Sequence, residues 1–138
     1  MRERTPTESE WGYAHIVERV ATLVEALLPH APGVVGIGLG TPGAVSVRTG
    51  ALKNSNTTCL NGRPLPQDVA ERLGRPVRIE NDANCFALAE AGAGAGQGHR
   101  VVFGVILGTG VGGGLVLDGA LWSGCQRIAG EWGHHRLD

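Results

Sequence analysis

The run Val101-Val102-Phe103-Gly104-Val105-Ile106-Leu107, followed at once by Gly108-Thr109-Gly110-Val111-Gly112-Gly113-Gly114, decides how the rest of the chain is read. The first seven residues are continuously apolar and read as a buried strand. Gly108, Gly110 and Gly113 match the G-x-G-x-x-G fingerprint letter for letter. That fingerprint needs a helix directly behind it, because the helix N-terminus is what holds a pyrophosphate. None is expected here. Leu115-Val116-Leu117 is short and apolar, Asp118-Gly119 is a hairpin-turn pair, and Ala120-Leu121-Trp122 resumes an apolar run. The unit reads as strand, glycine turn, strand, with strands over 101–107 and 114–118 joined by Gly108 to Gly113. Backbone N–H groups in such a turn can converge on a phosphate, because glycine tolerates positive φ and lets an anion approach closely. A plain flexible turn is the other reading of the same letters. A Rossmann dinucleotide site fails on the missing helix.

Upstream, helix and strand patterns alternate. Ile16, Val20, Leu23, Val24, Leu27 and Leu28 recur at helical spacing over 15–28, and Pro29 and Pro32 stop the run. Val34 to Leu39 reads as a buried strand, broken by Thr41-Pro42-Gly43. A small hairpin is expected around Thr49-Gly50, flanked by Val45-Ser46-Val47 and Ala51-Leu52-Lys53. Residues 54–62 form a polar loop. Leu65 to Leu73 reads as a short helix closed by Gly74, Pro76 to Glu80 as a strand, and Asp82 to Ala93 as a helix. Residues 1–12 are polar and expected to be loose. The alternation points to an α/β layered domain with a mixed sheet.

At 138 residues the chain suits about one domain, and 42% hydrophobic against 18% charged residues supports a packed core. A net charge of −1 without a basic run argues against nucleic acid or an anionic membrane as partner. No apolar stretch reaches the roughly 18 residues that span a bilayer. Met1 to Pro6 carries no apolar leader segment, so a cytoplasmic protein is expected. Cys59, Cys85 and Cys125 are widely spaced and odd in number, which suits free thiols.

Three places carry candidate chemistry. Glu80-Asn81-Asp82-Ala83-Asn84 puts carboxylates where a strand ends and a helix begins, and ligands of open α/β sheets bind outside such strand ends. Asp82 is placed to take a proton from an attacking hydroxyl in phosphoryl transfer. Equally, Asn81 or Asp82 is simply the helix cap. Glu131 and His134 can hydrogen-bond vicinal hydroxyls, and His134 can ligate a metal. Asn54-Ser55-Asn56-Thr57-Thr58 suits polyol recognition and equally suits any polar turn.

Taken together, Gly36-Ile37-Gly38-Leu39-Gly40-Thr41-Pro42-Gly43, Lys53-Asn54-Ser55-Asn56, Glu80-Asn81-Asp82-Ala83-Asn84-Cys85, Leu107 to Gly114 and Ile128-Ala129-Gly130-Glu131-Trp132-Gly133-His134 resemble, in order and spacing, the ROK proteins (repressors, uncharacterised frames and sugar kinases). The resemblance covers about residues 5–138, with the fructokinase and N-acetylglucosamine kinase branches nearest. It implies an actin/hexokinase-like (ribonuclease H-like) lobe and ATP-dependent phosphorylation of a hexose. By motif, Asp82 would be the general base, and Gly43, Ser55, Asn56, Asn81, Asp82, Glu131 and His134 would contact the sugar. Gly108, Thr109, Gly110, Gly112 and Gly113 would face the phosphates of ATP with its Mg. His134 would be a zinc ligand, and the intact protein a homodimer.

ROK kinases also carry an opening strand with D-x-G-G-T and a later C-x-C-G-x-x-G-C-x-E segment, and neither occurs in residues 1–138. The chain is therefore expected to be a partial ROK kinase domain, an incomplete N-terminal lobe lacking its first strands and ending before the zinc motif. Its zinc site would be incomplete and the tail from Gly130 to Asp138 loose. The other readings are a non-catalytic remnant with at most weak sugar binding, and a fragment of a ROK transcription regulator. The last would need a helix-turn-helix and a basic surface, which these residues do not show.

Overall fold

A computed structural model describes residues 1–108 and 110–134, His134 by its backbone alone. The chain divides into two compact units, Met1–Ile79 and Glu80–Asp138.

In the first unit, helix α1 (Tyr13–Leu27) and helix α2 (Leu65–Leu73) pack on each other. Of the positions predicted at helical spacing, Ile16 is buried in the contact and Val20 packs partly against it; Val17, outside that pattern, is buried too, with Leu65 and Val69 of α2. Leu52, Leu60 and Ile79 complete this buried cluster. Outside it, the Arg72 guanidinium bridges Glu18 and Glu25 of α1 at 2.9 and 2.8 Å. α2 ends as its sequence predicts, with Gly74 at φ 61 and the Arg75 N–H returning to the Ala70 carbonyl.

Strand β1 (Ile37–Thr41) pairs with β4 (Val77–Asn81). It starts later than its apolar run suggests, because β4 offers only five residues to pair; Val35 is fully exposed. The expected hairpin is present but short: β2 (Ala44–Val45) lies antiparallel to β3 (Leu52–Lys53). Part of the segment expected to be loose, Glu8 to Trp11, is held. Glu8 meets His15 at 2.7 Å and Arg19 at 3.5 Å, and Trp11 packs on the His15 ring.

In the second unit, helix α3 (Asp82–Ala93) lies on an antiparallel sheet of β5 (Val101–Leu107), β6 (Val111–Leu117) and β7 (Ala120–Leu121). No helix follows the glycines, as predicted. Glycine also explains how the helix sits. Gly104 and Gly114 are partners across β5 and β6. A Cβ on Gly104 would come within 2.8 Å of the Ala87 Cβ, and one on Gly114 within 2.8 Å of the Ala83 carbonyl oxygen. α3 therefore rides on bare backbone through its small residues Ala83 and Ala87, both buried.

Candidate functional site

Strand β4 runs into α3 with no linker, and Asn81 is the cap between them. Its backbone is extended, and its Oδ1 accepts the Asn84 N–H at 3.1 Å. That resolves the choice of cap left open by the sequence. Asp82 then occupies the first helical position, with its side chain exposed. Among the described residues its Oδ1 accepts only the neighbouring Ala83 N–H, at 2.9 Å, and no cation pairs with it. A carboxylate at a helix N-terminus is favoured by the helix dipole.

Glu80 braces this corner. Its Oε1 accepts the Asn81 N–H at 2.9 Å and the Asn84 Nδ2 at 3.1 Å. Asn84 is only 3% exposed, so its amide needs these partners. Cys85, the next residue, feels the same charges. Burial first, then the Glu80 and Asp82 carboxylates, push its thiol above the usual cysteine range.

The glycine turn is tighter than its sequence suggests. Leu107 pairs with Val111, so β6 begins at Val111 rather than 114 and the connection is only residues 108–110. Gly112 and Gly113 belong to a strand. The reason is packing: Gly113 is buried, and a Cβ there would lie 2.9 Å from the Gly130 carbonyl oxygen and 3.0 Å from the Phe103 ring. Gly108 and Gly110 are exposed, with open space where a Cβ would stand. The Gly108 N–H is spent within the turn on the Gly110 carbonyl at 2.9 Å. Thr109 lies outside the described residues.

Gly130–Gly133 forms a strap along β6, on the face opposite α3, since Gly113 alternates with Gly112 and Gly114. A Cβ on Gly130 would lie 2.7 Å from the Gly113 carbonyl oxygen. The Trp132 Nε1 donates to the Gly112 carbonyl at 3.2 Å, and its ring meets Phe103 edge-on with centroids 6.3 Å apart. The expected loose tail is thus packed over 130–133. Half-buried Glu131 is carried on this strap. The His134 side chain and residues 135–138 lie outside the described residues.

In the first unit, Gly43 (φ 80) closes on the Lys53–Ser55 backbone. A Cβ there would run into the Lys53 carbonyl oxygen and reach 2.8 Å from the Ser55 nitrogen. Ser55 is 6% exposed and tied twice to one amide: its N–H donates to the Asn61 Oδ1 at 2.8 Å, and its carbonyl accepts from the Asn61 Nδ2 at 2.9 Å. The Ser55 Oγ accepts the Thr57 N–H at 3.1 Å. Asn56, beside it, is exposed. Sequence reading missed Asn61, Asn84 and Trp132. An Asn-Gly pair at 61–62 in a polar loop was the only available hint.

No group of three or more His, Cys, Asp or Glu side chains suited to a metal occurs among the described residues. All three cysteines are free. The residues described therefore do not fit zinc.

A model of the ROK family matches residues 1–138. The chain is 47% identical over 136 residues to the N-acetyl-D-glucosamine kinase of Aliivibrio salmonicida, a match that takes in 98% of this chain and 44% of that protein. The ROK hexokinase of Thermus thermophilus superposes with a TM-score of 0.78 at 37% identity, over 98% of this chain and 44% of that one. A ROK family glucokinase from Streptomyces griseus, solved with glucose and AMPPNP, gives a TM-score of 0.78 at 35% identity, over 92% and 40% of the two chains. The chain spans less than half the length of the curated relatives named here. Among the described residues, no helix is long and apolar enough to cross a membrane.

Proposed function

The chain belongs to the ROK family and has its α/β, actin/hexokinase-like fold, and on that premise we propose that it carries the sugar-binding and base-bearing part of an ATP-dependent hexose kinase. The observation behind this is the Asn81 cap, which leaves the Asp82 carboxylate exposed at the start of α3, with no cation paired to it among the described residues.

In this reading, Asp82 takes the proton of a sugar hydroxyl as that oxygen attacks the terminal phosphorus of ATP, and ADP leaves. Asn81, Asn56, Glu131 and His134 orient the sugar through its other hydroxyls. Gly43 and Ser55 shape the loop that presents Asn56. Gly108, Thr109 and Gly110 meet phosphate, while Gly112 and Gly113 set the hairpin that holds them. Mg bound with ATP would neutralise charge on the phosphates. No step runs through zinc. Of the two branches nearest by motif, N-acetylglucosamine is favoured over fructose, because the relative at 47% identity is named for that sugar.

The test is a chimera in which residues 1–138 replace the matched stretch of the Aliivibrio salmonicida relative. ADP release is followed with N-acetylglucosamine, glucose and fructose. We expect turnover highest with N-acetylglucosamine, and Asp82→Asn to lower kcat by about 10²–10⁴ with a smaller change in KM. Full turnover by the Asp82→Asn chimera would reduce that residue to a helix-end carboxylate. A preference for fructose would overturn the amino-sugar assignment.

A further inference from the structure

We propose that Asn61 is a site of self-modification: its side-chain amide is lost to attack by the Gly62 backbone nitrogen, and the aspartate or isoaspartate that results unlocks the loop around Ser55.

Asn61 is exposed and is followed by glycine. Gly62 has no Cβ to crowd its nitrogen, and the space where one would stand is open. Asn54 and Asn56, in the same loop, are followed instead by Ser55 and Thr57, whose side chains hinder the same attack. The amide that would react is also the one that holds the loop. Its Oδ1 accepts the Ser55 N–H at 2.8 Å, and its Nδ2 donates to the Ser55 carbonyl at 2.9 Å. The nucleophile is held as well, since the Gly62 N–H donates to the Leu52 carbonyl at 2.8 Å. The closed loop thus spends both reacting groups on hydrogen bonds. Reaction waits on local opening, which costs less free energy than global unfolding.

On opening, the Gly62 nitrogen gives up its proton and bonds to the Asn61 Cγ. The Cγ–Nδ2 bond breaks, and Nδ2 leaves as ammonia carrying that proton. Water then opens the cyclic imide. Attack at Cγ gives aspartate, and attack at the Asn61 backbone carbonyl gives isoaspartate. Water is the only co-reactant. Both products replace the amide donor by a carboxylate, which leaves the Ser55 carbonyl without its partner and sets negative charge in the loop. Isoaspartate also lengthens the main chain by one methylene and draws Gly62 away from Leu52. Neither product restores the two bonds to Ser55, so the change runs one way. The proposed function places Asn56 of this loop on the sugar, but the modification does not depend on that reading.

The experiment ages the 138-residue chain in mildly alkaline buffer, folded and in urea, and follows it by peptide mass mapping. In urea, Asn61 should be the first asparagine of the loop to show the mass gain of amide-to-acid conversion. In the folded chain the same conversion should be at least tenfold slower. Asn61→Gln should abolish the early gain. Asn61→Asp supplies one product directly, and its amide exchange at Ser55 and Gly62 should be at least tenfold faster than in the parent chain. If circular dichroism shows Asn61→Asp to be unfolded, converted and unconverted chains from the aged folded sample, separated by charge, supply the comparison. The proposal is overturned by no conversion of Asn61 in urea, by conversion as fast in the folded chain, by earlier conversion at Asn54 or Asn56, by an early gain that survives Asn61→Gln, or by a product whose exchange at Ser55 and Gly62 is unchanged.

Discussion

The Glu80 carboxylate accepts a hydrogen bond from the Asn84 side-chain amide one helical turn on, at 3.1 Å, and from the Asn81 N–H at 2.9 Å. Since Asn81 in turn accepts the Asn84 N–H, three residues close a ring around the start of α3. Asp82 lies within this ring in sequence but takes no part in it. Stability and chemistry should therefore separate. Asn84→Ala removes the amide from Glu80 and should lower stability by about 1.5–3 kcal/mol, the range for hydrogen bonds to charged groups. Asp82→Asn should cost under about 1 kcal/mol, the size of a helix-dipole contribution at an exposed site. Urea unfolding of both variants checks this, and a larger loss in Asp82→Asn would refute the capping assignment.

The glycines divide by what they touch. Gly114→Ala should destabilise by about 1–3 kcal/mol, as overpacking does, because its Cβ would meet Ala83, Ala87 and Asn84 of α3 within 2.9 Å. Gly108→Ala has open space and should stay within about 0.5 kcal/mol. Thermal unfolding of the pair distinguishes packing glycines from those at the turn. Equal losses would mean that α3 does not ride on β6 as described.

Much of this was legible because the signals are local. α2 and α3 lie where the sequence puts them, since apolar spacing, a proline in the first turn of α2 and Gly74 at its end act within a few residues. The hairpin was legible too, but its register was not. Glycine has a poor strand propensity, so Gly112 and Gly113 read as turn until α3 and the strap are in place to demand bare backbone. The division at Ile79 is equally silent, because it falls inside β4 with no proline, glycine or polar linker to mark it. Residues 1–12 looked loose because Glu8 gives no hint in sequence that His15 and Arg19 will turn toward it.

Asn61 makes the loop of Ser55 a defined structure by using both ends of its amide on one backbone unit. Asn61→Asp keeps the acceptor, loses the donor and sets a negative charge against the Ser55 carbonyl. It should destabilise by about 1–3 kcal/mol, the cost of an unpaired buried group. Amide exchange at Ser55 and Thr57 should accelerate with it. Unchanged exchange at both residues would show that the loop is held by other contacts.

Cys85 reports on the charges at the helix start. Its thiol is pushed up from the usual 9.0 by burial and by the Glu80 and Asp82 carboxylates. The folded state thus retains the proton longer than the unfolded chain. The stability linked to Cys85 is complete below pH 9.0 and is lost as pH rises from there through the folded value. At pH 8, alkylation of Cys85 should be slower in the folded chain than in urea, because less thiolate is present. Asp82→Asn removes one carboxylate and should speed the folded reaction. Mass-spectrometric rates for the Cys85 peptide decide it, and a slower reaction in Asp82→Asn would contradict the proximity of the two groups.

Phosphoryl transfer draws most of its rate from positioning and charge neutralisation. From Val101 to Gln126 the chain has no lysine or arginine, so in the proposed reading the hairpin offers a phosphate no cation of its own. The Gly108 N–H is already used within the turn. No metal-suited cluster adds charge among the described residues. One exposed turn without a cation does not hold a terminal phosphate in line with a sugar hydroxyl. The 138-residue chain alone should therefore release no ADP above background with N-acetylglucosamine, glucose or fructose. In the chimera with the Aliivibrio salmonicida relative it should gain hexose-dependent turnover that Asp82→Asn lowers by about 10²–10⁴. A coupled assay on the chain alone and on the chimera reads both outcomes. Robust turnover by the chain alone would mean that its own residues complete the phosphate site.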